Sequence, residues 1–155
     1  MNKIERMRVS CMEQFFVGLG WLARISGRSS RQPMHLQVGQ DGEDAAYFHL
    51  RRNGYTVVAR RWSGGNLPGD VDLIAWQGSL LCFFEVKTRT ARDMTPAESA
   101  VDRHKRHILR RLARNYVRQL PQELPPQVRF DVISIYLLPG GTEITHFENA
   151  FGWSE

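Results

Sequence analysis

The segment that most constrains this chain is residues 70–87, where Asp70-Val-Asp-Leu-Ile-Ala-Trp76 and Leu80-Leu-Cys-Phe-Phe-Glu-Val-Lys87 are separated only by Gln77-Gly78-Ser79. Each run is too short for a core helix, and a three-residue link containing glycine suits a hairpin of antiparallel strands. The second run is almost wholly apolar before it reaches Glu85, as a central strand buried on both faces should be.

The flanking sequence supplies the remaining elements. A helix is predicted over Gln40–Arg52, with Ala45, Ala46, Tyr47, Phe48 and Leu50 on its apolar side and Gly54 placed to end it. Tyr55–Trp62 reads as a strand and residues 63–69 as a loop. A long helix is predicted from Pro96 to about Leu120, where Val101, Ile108, Leu112, Tyr116 and Leu120 form a stripe opposite a face of arginines. Strands at Gln127–Leu138 and around Glu143–Phe147 follow, joined through Pro139-Gly140-Gly141. This order predicts a single α/β domain with a mixed β-sheet flanked by helices.

Charge placement says more than its total of +5. Residues 1–38 hold Lys3, Arg6, Arg8, Arg24, Arg28 and Arg31 against Glu5 and Glu13, so a basic N-terminal extension precedes a nearly neutral domain at 39–155. The extension reads as poorly ordered or partly helical, with Met12, Phe15, Phe16, Leu19 and Leu22 at helical spacing and Met34 as an alternative start. Its apolar run at 15–23 is too short to cross a membrane, and the charges on either side do not suit an export signal. Two cysteines, Cys11 and Cys82, exclude a disulfide scaffold and a thiolate zinc cage, and a reducing cytoplasm is the expected compartment. Within the domain, Arg103, Lys105, Arg106, Arg110, Arg111, Arg114 and Arg118 form a stretch with no acid among them.

The chemistry concentrates on the hairpin. Strand alternation puts Glu85 and Lys87 on one face, and likewise Asp70 and Asp72, while the hairpin brings Asp72 towards Glu85. Adjacent carboxylates repel when ionised, and a divalent cation removes that cost. Hard oxygen ligands with room for water and phosphate suit Mg²⁺ or Mn²⁺. A lysine beside such an ion orients or deprotonates water and stabilises charge on phosphorus, so Asp72, Glu85 and Lys87 together suggest phosphodiester hydrolysis. Taken singly, Glu85 with Lys87 reads as a strand-end ion pair and Asp70 with Asp72 as turn caps; the conjunction favours chemistry.

Pro68-Gly-Asp-Val-Asp-Leu-Ile-Ala75 followed by Phe83-Phe-Glu-Val-Lys-Thr-Arg89 resembles the PD-(D/E)XK nuclease core. With Gly42-Glu-Asp-Ala-Ala46, Arg51-Arg-Asn-Gly-Tyr55, Lys105, Arg129-Phe-Asp-Val-Ile133 and His146-Phe-Glu-Asn-Ala-Phe151, the pattern over about 39–151 resembles the bacterial YraN family of Holliday-junction-resolvase-like proteins. The resemblance implies a restriction-endonuclease-like core, Asp72 and Glu85 as metal ligands, Lys87 as the catalytic lysine, and Glu43 as a first-helix acid near the metal. It also implies DNA as partner, branched or damaged DNA included, and a homodimer. Asp70 stands where the family more often has Glu, and Arg60-Arg61 where it usually has Arg-Asn.

Arg89, Lys105, Arg106 and Arg110 are the expected DNA-contacting residues, with His104 and His107 facing phosphate or solvent. Asp131 is assigned a structural role, and Trp62, Trp76 and Trp153 a place in the core or an interface. The rival to a metal-dependent endonuclease is a nucleic-acid-binding module that keeps the fold without turnover.

Overall fold

The structure, a computed structural model, describes residues 34–91, 101–121 and 125–153. Seven elements follow in the expected order: α1 (Met34–Arg52), β1 (Thr56–Ser63), β2 (Asp70–Gln77), β3 (Leu80–Arg89), α2 (Arg103–Arg118), β4 (Val128–Leu138) and β5 (Gly141–Phe151). The strands form one sheet in the order β1-β2-β3-β4-β5, antiparallel except for the parallel pair β3 and β4. Antiparallel neighbours need only short turns, whereas the parallel pair needs a crossover, and α2 lies in that connection.

The central position of β3 follows from its composition. Leu81 and Phe83 are buried in one apolar cluster and Cys82 and Phe84 in another, so the strand is covered on both faces. Leu109, Leu112 and Ala113 of α2 pack with Leu81, Phe83, Phe130 and Val132 on one side. Ala46 and Leu50 of α1 pack with Leu73, Cys82, Phe84 and Ile133 on the other. Trp62 and Trp76 are partly buried against the α2-side cluster, as expected of core residues. Trp153 is not in the core: it packs edge-on against Phe130 but keeps 37% of its surface exposed, which leaves the interface alternative open to it.

Both helices differ from the sequence expectation in length. α1 begins by Met34 and runs unbroken through the charge boundary at Val38. It ends where Gly54, at φ 87°, lets the Tyr55 N–H reach back to the Leu50 carbonyl at 3.0 Å. α2 starts at Arg103 because Asp102 is extended and its carboxylate accepts the Lys105 N–H at 2.8 Å, a side-chain cap that the apolar periodicity concealed. The Pro96 start, Cys11 and the apolar stripe of the leader lie outside the described residues.

One tight approach docks α1 on the sheet. A Cβ on the buried Gly42 would stand 1.9 Å from Thr88 Oγ1 and 2.8 Å from Thr88 Cβ, so only glycine permits this separation. The next residue is Glu43, and the contact thereby sets how close that acid lies to the end of β3.

A second polar network fixes the β4–β5 register. Asp131 is buried; Arg129 Nη2 donates to its Oδ2 at 2.8 Å, the Asn149 N–H donates to Oδ1 at 2.9 Å, and His146 Nε2 lies 2.9 Å from Oδ2. The ladder slips between the pairs Phe130↔Phe151 and Val132↔Phe147, with Asn149 at φ 52°, and the Asp131 carboxylate satisfies the backbone donor that the slip releases. Its role is structural, as expected. Among the described residues, no helix is long and apolar enough to cross a membrane, and Cys82 is a buried free thiol whose pKa burial pushes up to about 12.

Candidate active site

The β2–β3 ladder runs from Gln77↔Leu80 to Leu73↔Phe84, and Asp72 and Glu85 stand just beyond its last pair, close enough for the charge of one to act on the other. The Val86 N–H donates to Asp72 Oδ2 at 2.6 Å, tying the carboxylate to the backbone between the acid and the lysine of Glu85-Val86-Lys87. Alternation does not run evenly through this point. Val71 and Leu73 are two residues apart yet lie in opposite core clusters, so β2 twists at Asp72. On β1, the pairs Arg60↔Leu73 and Trp62↔Val71 leave Arg61 facing Asp72, and Arg61 has φ 46°. A left-handed arginine costs roughly 1–3 kcal/mol, a local strain located beside the carboxylates.

Glu85 is only 3% exposed and has an ammonium on each oxygen. Lys87 Nζ donates to Oε1 at 2.8 Å. Lys105 Nζ, reaching down from the first turn of α2, lies 2.9 Å from Oε2 and 3.5 Å from the Asp70 carbonyl. The Lys105 contact has the distance of an ion pair but not the angle of a directed hydrogen bond, which leaves Oε2 without a well-aimed donor. Ser134, the register partner of Lys87 on β4, is likewise buried, and its hydroxyl has no hydrogen-bond partner among the described residues.

The electrostatics follow from this crowding. Burial, and then the charge of Glu85, push the Asp72 carboxyl up to about 7 against the opposing pull of the Val86 N–H and Lys105. Burial works against the charge on Lys105, but Glu85, Asp72 and Asp70 together hold its ammonium above the usual range. Two buried neighbouring carboxylates, one with a poorly satisfied oxygen, form the kind of donor set that a hard divalent cation relieves.

The predicted site residues separate into two groups. Asp72, Glu85, Lys87 and Lys105 converge. Lys105, expected to contact DNA, belongs to the carboxylate site, because the Asp102 cap starts α2 where its third residue can reach β3. Glu43 does not join the other two acids: Arg61 grips it through Nε–Oε2 at 2.6 Å and Nη2–Oε1 at 2.8 Å, although its charge still raises the Asp72 pKa. Among the described residues no group of three or more His, Cys, Asp and Glu side chains comes close enough to share an ion. Arg61 enters the sequence reading only as a departure from the family pattern and Ser134 not at all; an arginine in a strand and a serine in an apolar run carry no local signal of where the fold sends them.

Of the remaining basic candidates, Arg89 donates to the Tyr136 hydroxyl at 3.0 Å. Arg106 donates through Nε to the Val101 carbonyl at 2.8 Å, and the buried Arg110 through Nε to the Gly152 carbonyl at 2.8 Å. His104 and His107 line a separate cavity of about 680 Å³ with Arg103, Arg110, Arg114 and Trp153.

Comparison with known proteins places the chain among close relatives. The sequence profile of "Uncharacterised protein family UPF0102" matches residues 42–135, which include α1 from the docking glycine onward, the carboxylate pair and both lysines. A UPF0102 protein of Koribacter versatilis is 48% identical over 120 residues, covering 77% of this chain and 82% of the relative. Another, of Solibacter usitatus, is 41% identical over 133 residues, covering 86% and 99%. A third, of Porphyromonas gingivalis, is 41% identical over 119 residues, covering 76% and 85%. The single α/β domain, its five-stranded mixed sheet and these matches agree with the family expected from the motifs: the chain belongs to UPF0102, the YraN family.

Proposed function

We propose that this protein is a metal-dependent nuclease with a PD-(D/E)XK-type core that hydrolyses DNA phosphodiesters. The observation that carries the reading is the buried pairing of Asp72 with Glu85, joined by the Val86 N–H and flanked by Lys87 and Lys105. Asp72 and Glu85 would hold Mg²⁺ or Mn²⁺, which when bound supplies Lewis-acid polarisation of a phosphoryl oxygen and a lowered pKa for water. Lys87, 32% exposed and 2.8 Å from Glu85, keeps a proton donor at the open side of the pair, where it orients water and stabilises charge gathering on phosphorus. Lys105 offsets the negative charge of Glu85 from the helix side and holds that carboxylate in place. The Val86 N–H fixes the direction of Asp72.

A specific observation favours a second reading, a nucleic-acid-binding module without turnover: both Glu85 oxygens lie against ammonium groups and Glu43 is held by Arg61. One experiment separates the two. Labelled linear duplex, single strand and four-way junction are incubated with the protein in Mg²⁺, Mn²⁺ or EDTA. Cleavage is expected in metal alone, falling by about 100-fold or more in Glu85→Gln and Lys87→Ala. Undiminished cleavage by those variants would remove the site from the reaction, and salt-sensitive binding with no cleavage in either metal would establish the second reading.

A further inference from the structure

α2 carries a second feature away from the carboxylate pair, on a side where Arg103, His107 and Arg114 are exposed and Arg110 is buried between them. Arg103, His107, Arg110 and Arg114 recur at spacings of four, three and four residues, so they share one stripe that spans about 16 Å of helix. The cavity they line is closed on one side by Trp153, with the Arg114 guanidinium 5.4 Å from the centre of its ring. Arg114 also borders a second concavity of about 370 Å³ lined by Arg111, Asn115, Arg118 and Leu67, so one arginine forms the shared wall of two basic hollows. The platform is anchored: Arg110 Nε donates to the Gly152 carbonyl next to Trp153, and Phe130 meets the indole edge-on with ring centres 5.1 Å apart.

A solvated helix face has no need of a held, partly exposed tryptophan. Basic side chains along a groove with an aromatic ring set among them match the chemistry of single-stranded nucleic acid, in which phosphates follow the cations and unpaired bases stack. A duplex presents its bases already stacked and offers nothing to the indole. We propose that the α2 groove binds a single-stranded nucleic-acid segment, with one base on Trp153 and the backbone running past Arg114. A phosphate that draws the Arg114 guanidinium off the ring uncovers the stacking face. This deepens the nuclease reading and rests on it for biological sense, since it gives the substrate a single-stranded portion, but the groove is tested without turnover.

Fluorescence anisotropy with labelled (dT)20, in EDTA so that no cleavage contributes, reads the groove directly. Trp153→Ala is expected to weaken binding by about 5- to 150-fold, from about 1–3 kcal/mol per stacked base, while Trp153→Phe keeps most of the affinity. Arg114→Ala, at an exposed position, lifts the guanidinium off the indole but leaves the Arg110–Gly152 and Phe130–Trp153 contacts that anchor the platform, and should lower the slope of log affinity against log salt by about 0.7. Wild-type affinity in both Trp153→Ala and Arg114→Ala would overturn the proposal. So would a blunt duplex that binds as tightly as (dT)20 and loses as much in Trp153→Ala. Groove binding that behaves as expected in a protein that cleaves nothing in Mg²⁺ or Mn²⁺ would support the groove and defeat the nuclease reading alone.

Discussion

Replacing Asp72 with asparagine should make the metal-free protein more stable at pH 8. The Asp72 carboxyl titrates at about 7 in the folded chain against an ordinary 3.8, raised by burial and by Glu85. Between those values the unfolded chain has released the proton while the folded one keeps it. Stability therefore falls by about 1.4 kcal/mol for each pH unit across that window, to a ceiling of about 4 kcal/mol above pH 7. Asparagine forgoes the attraction that Lys105 offers the carboxylate, which brings the expected gain of Asp72→Asn at pH 8 to about 2 kcal/mol, or roughly 4–8 °C in Tm. Asparagine is nearly isosteric and its carbonyl oxygen can still accept the Val86 N–H, so packing is held constant. Melting by circular dichroism from pH 4 to 8 in EDTA should show the two proteins converging towards pH 4 and separating as pH rises. Mn²⁺ at pH 8 should raise the Tm of the wild type and leave that of Asp72→Asn unchanged. If the variant melted below the wild type at pH 8, or by the same margin at every pH, the account of Asp72 as a strained buried carboxylate would be wrong.

Two further predictions concern the scaffold. Gly42→Ala improves helix propensity by about 1 kcal/mol, yet the 1.9 Å approach to Thr88 Oγ1 makes overpacking the larger effect, so a net loss of about 1–2 kcal/mol in urea unfolding is expected; a more stable variant would show that α1 does not dock this closely. Asp131→Ala leaves Arg129 and the Asn149 N–H without their buried acceptor and should cost about 3–5 kcal/mol, read as a lowered denaturation midpoint, whereas a loss under 1 kcal/mol would mean the network does not hold the β4–β5 register.

Much of this architecture was legible in the sequence because it rests on local patterns. The β2–β3 hairpin declares itself through a short link and two apolar runs, and the central place of β3 through its lack of polar alternation. The meeting of Asp72 with Glu85 follows, since an antiparallel register set by a short turn fixes which residues face each other. Helix boundaries were less legible. The sequence reading opens α2 at Pro96, a residue suited to a helix's first turn, but the side-chain cap at Asp102 sets the described start at Arg103, and a cap depends on one residue's backbone angles.

The sequence by itself determined the element order, the two-faced burial of β3, the carboxylate pair with its lysine, and the family. Only the tertiary structure decided which charges answer one another. Lys105 reaches Glu85 from an element 20 positions away, Arg61 withdraws Glu43 from the other acids, and Arg114 and Trp153 from opposite edges of the domain's C-terminal half become one surface. Ion pairs and stacked rings act over a few ångströms and are indifferent to separation along the chain. They become readable only once the layers have packed and brought distant residues into contact.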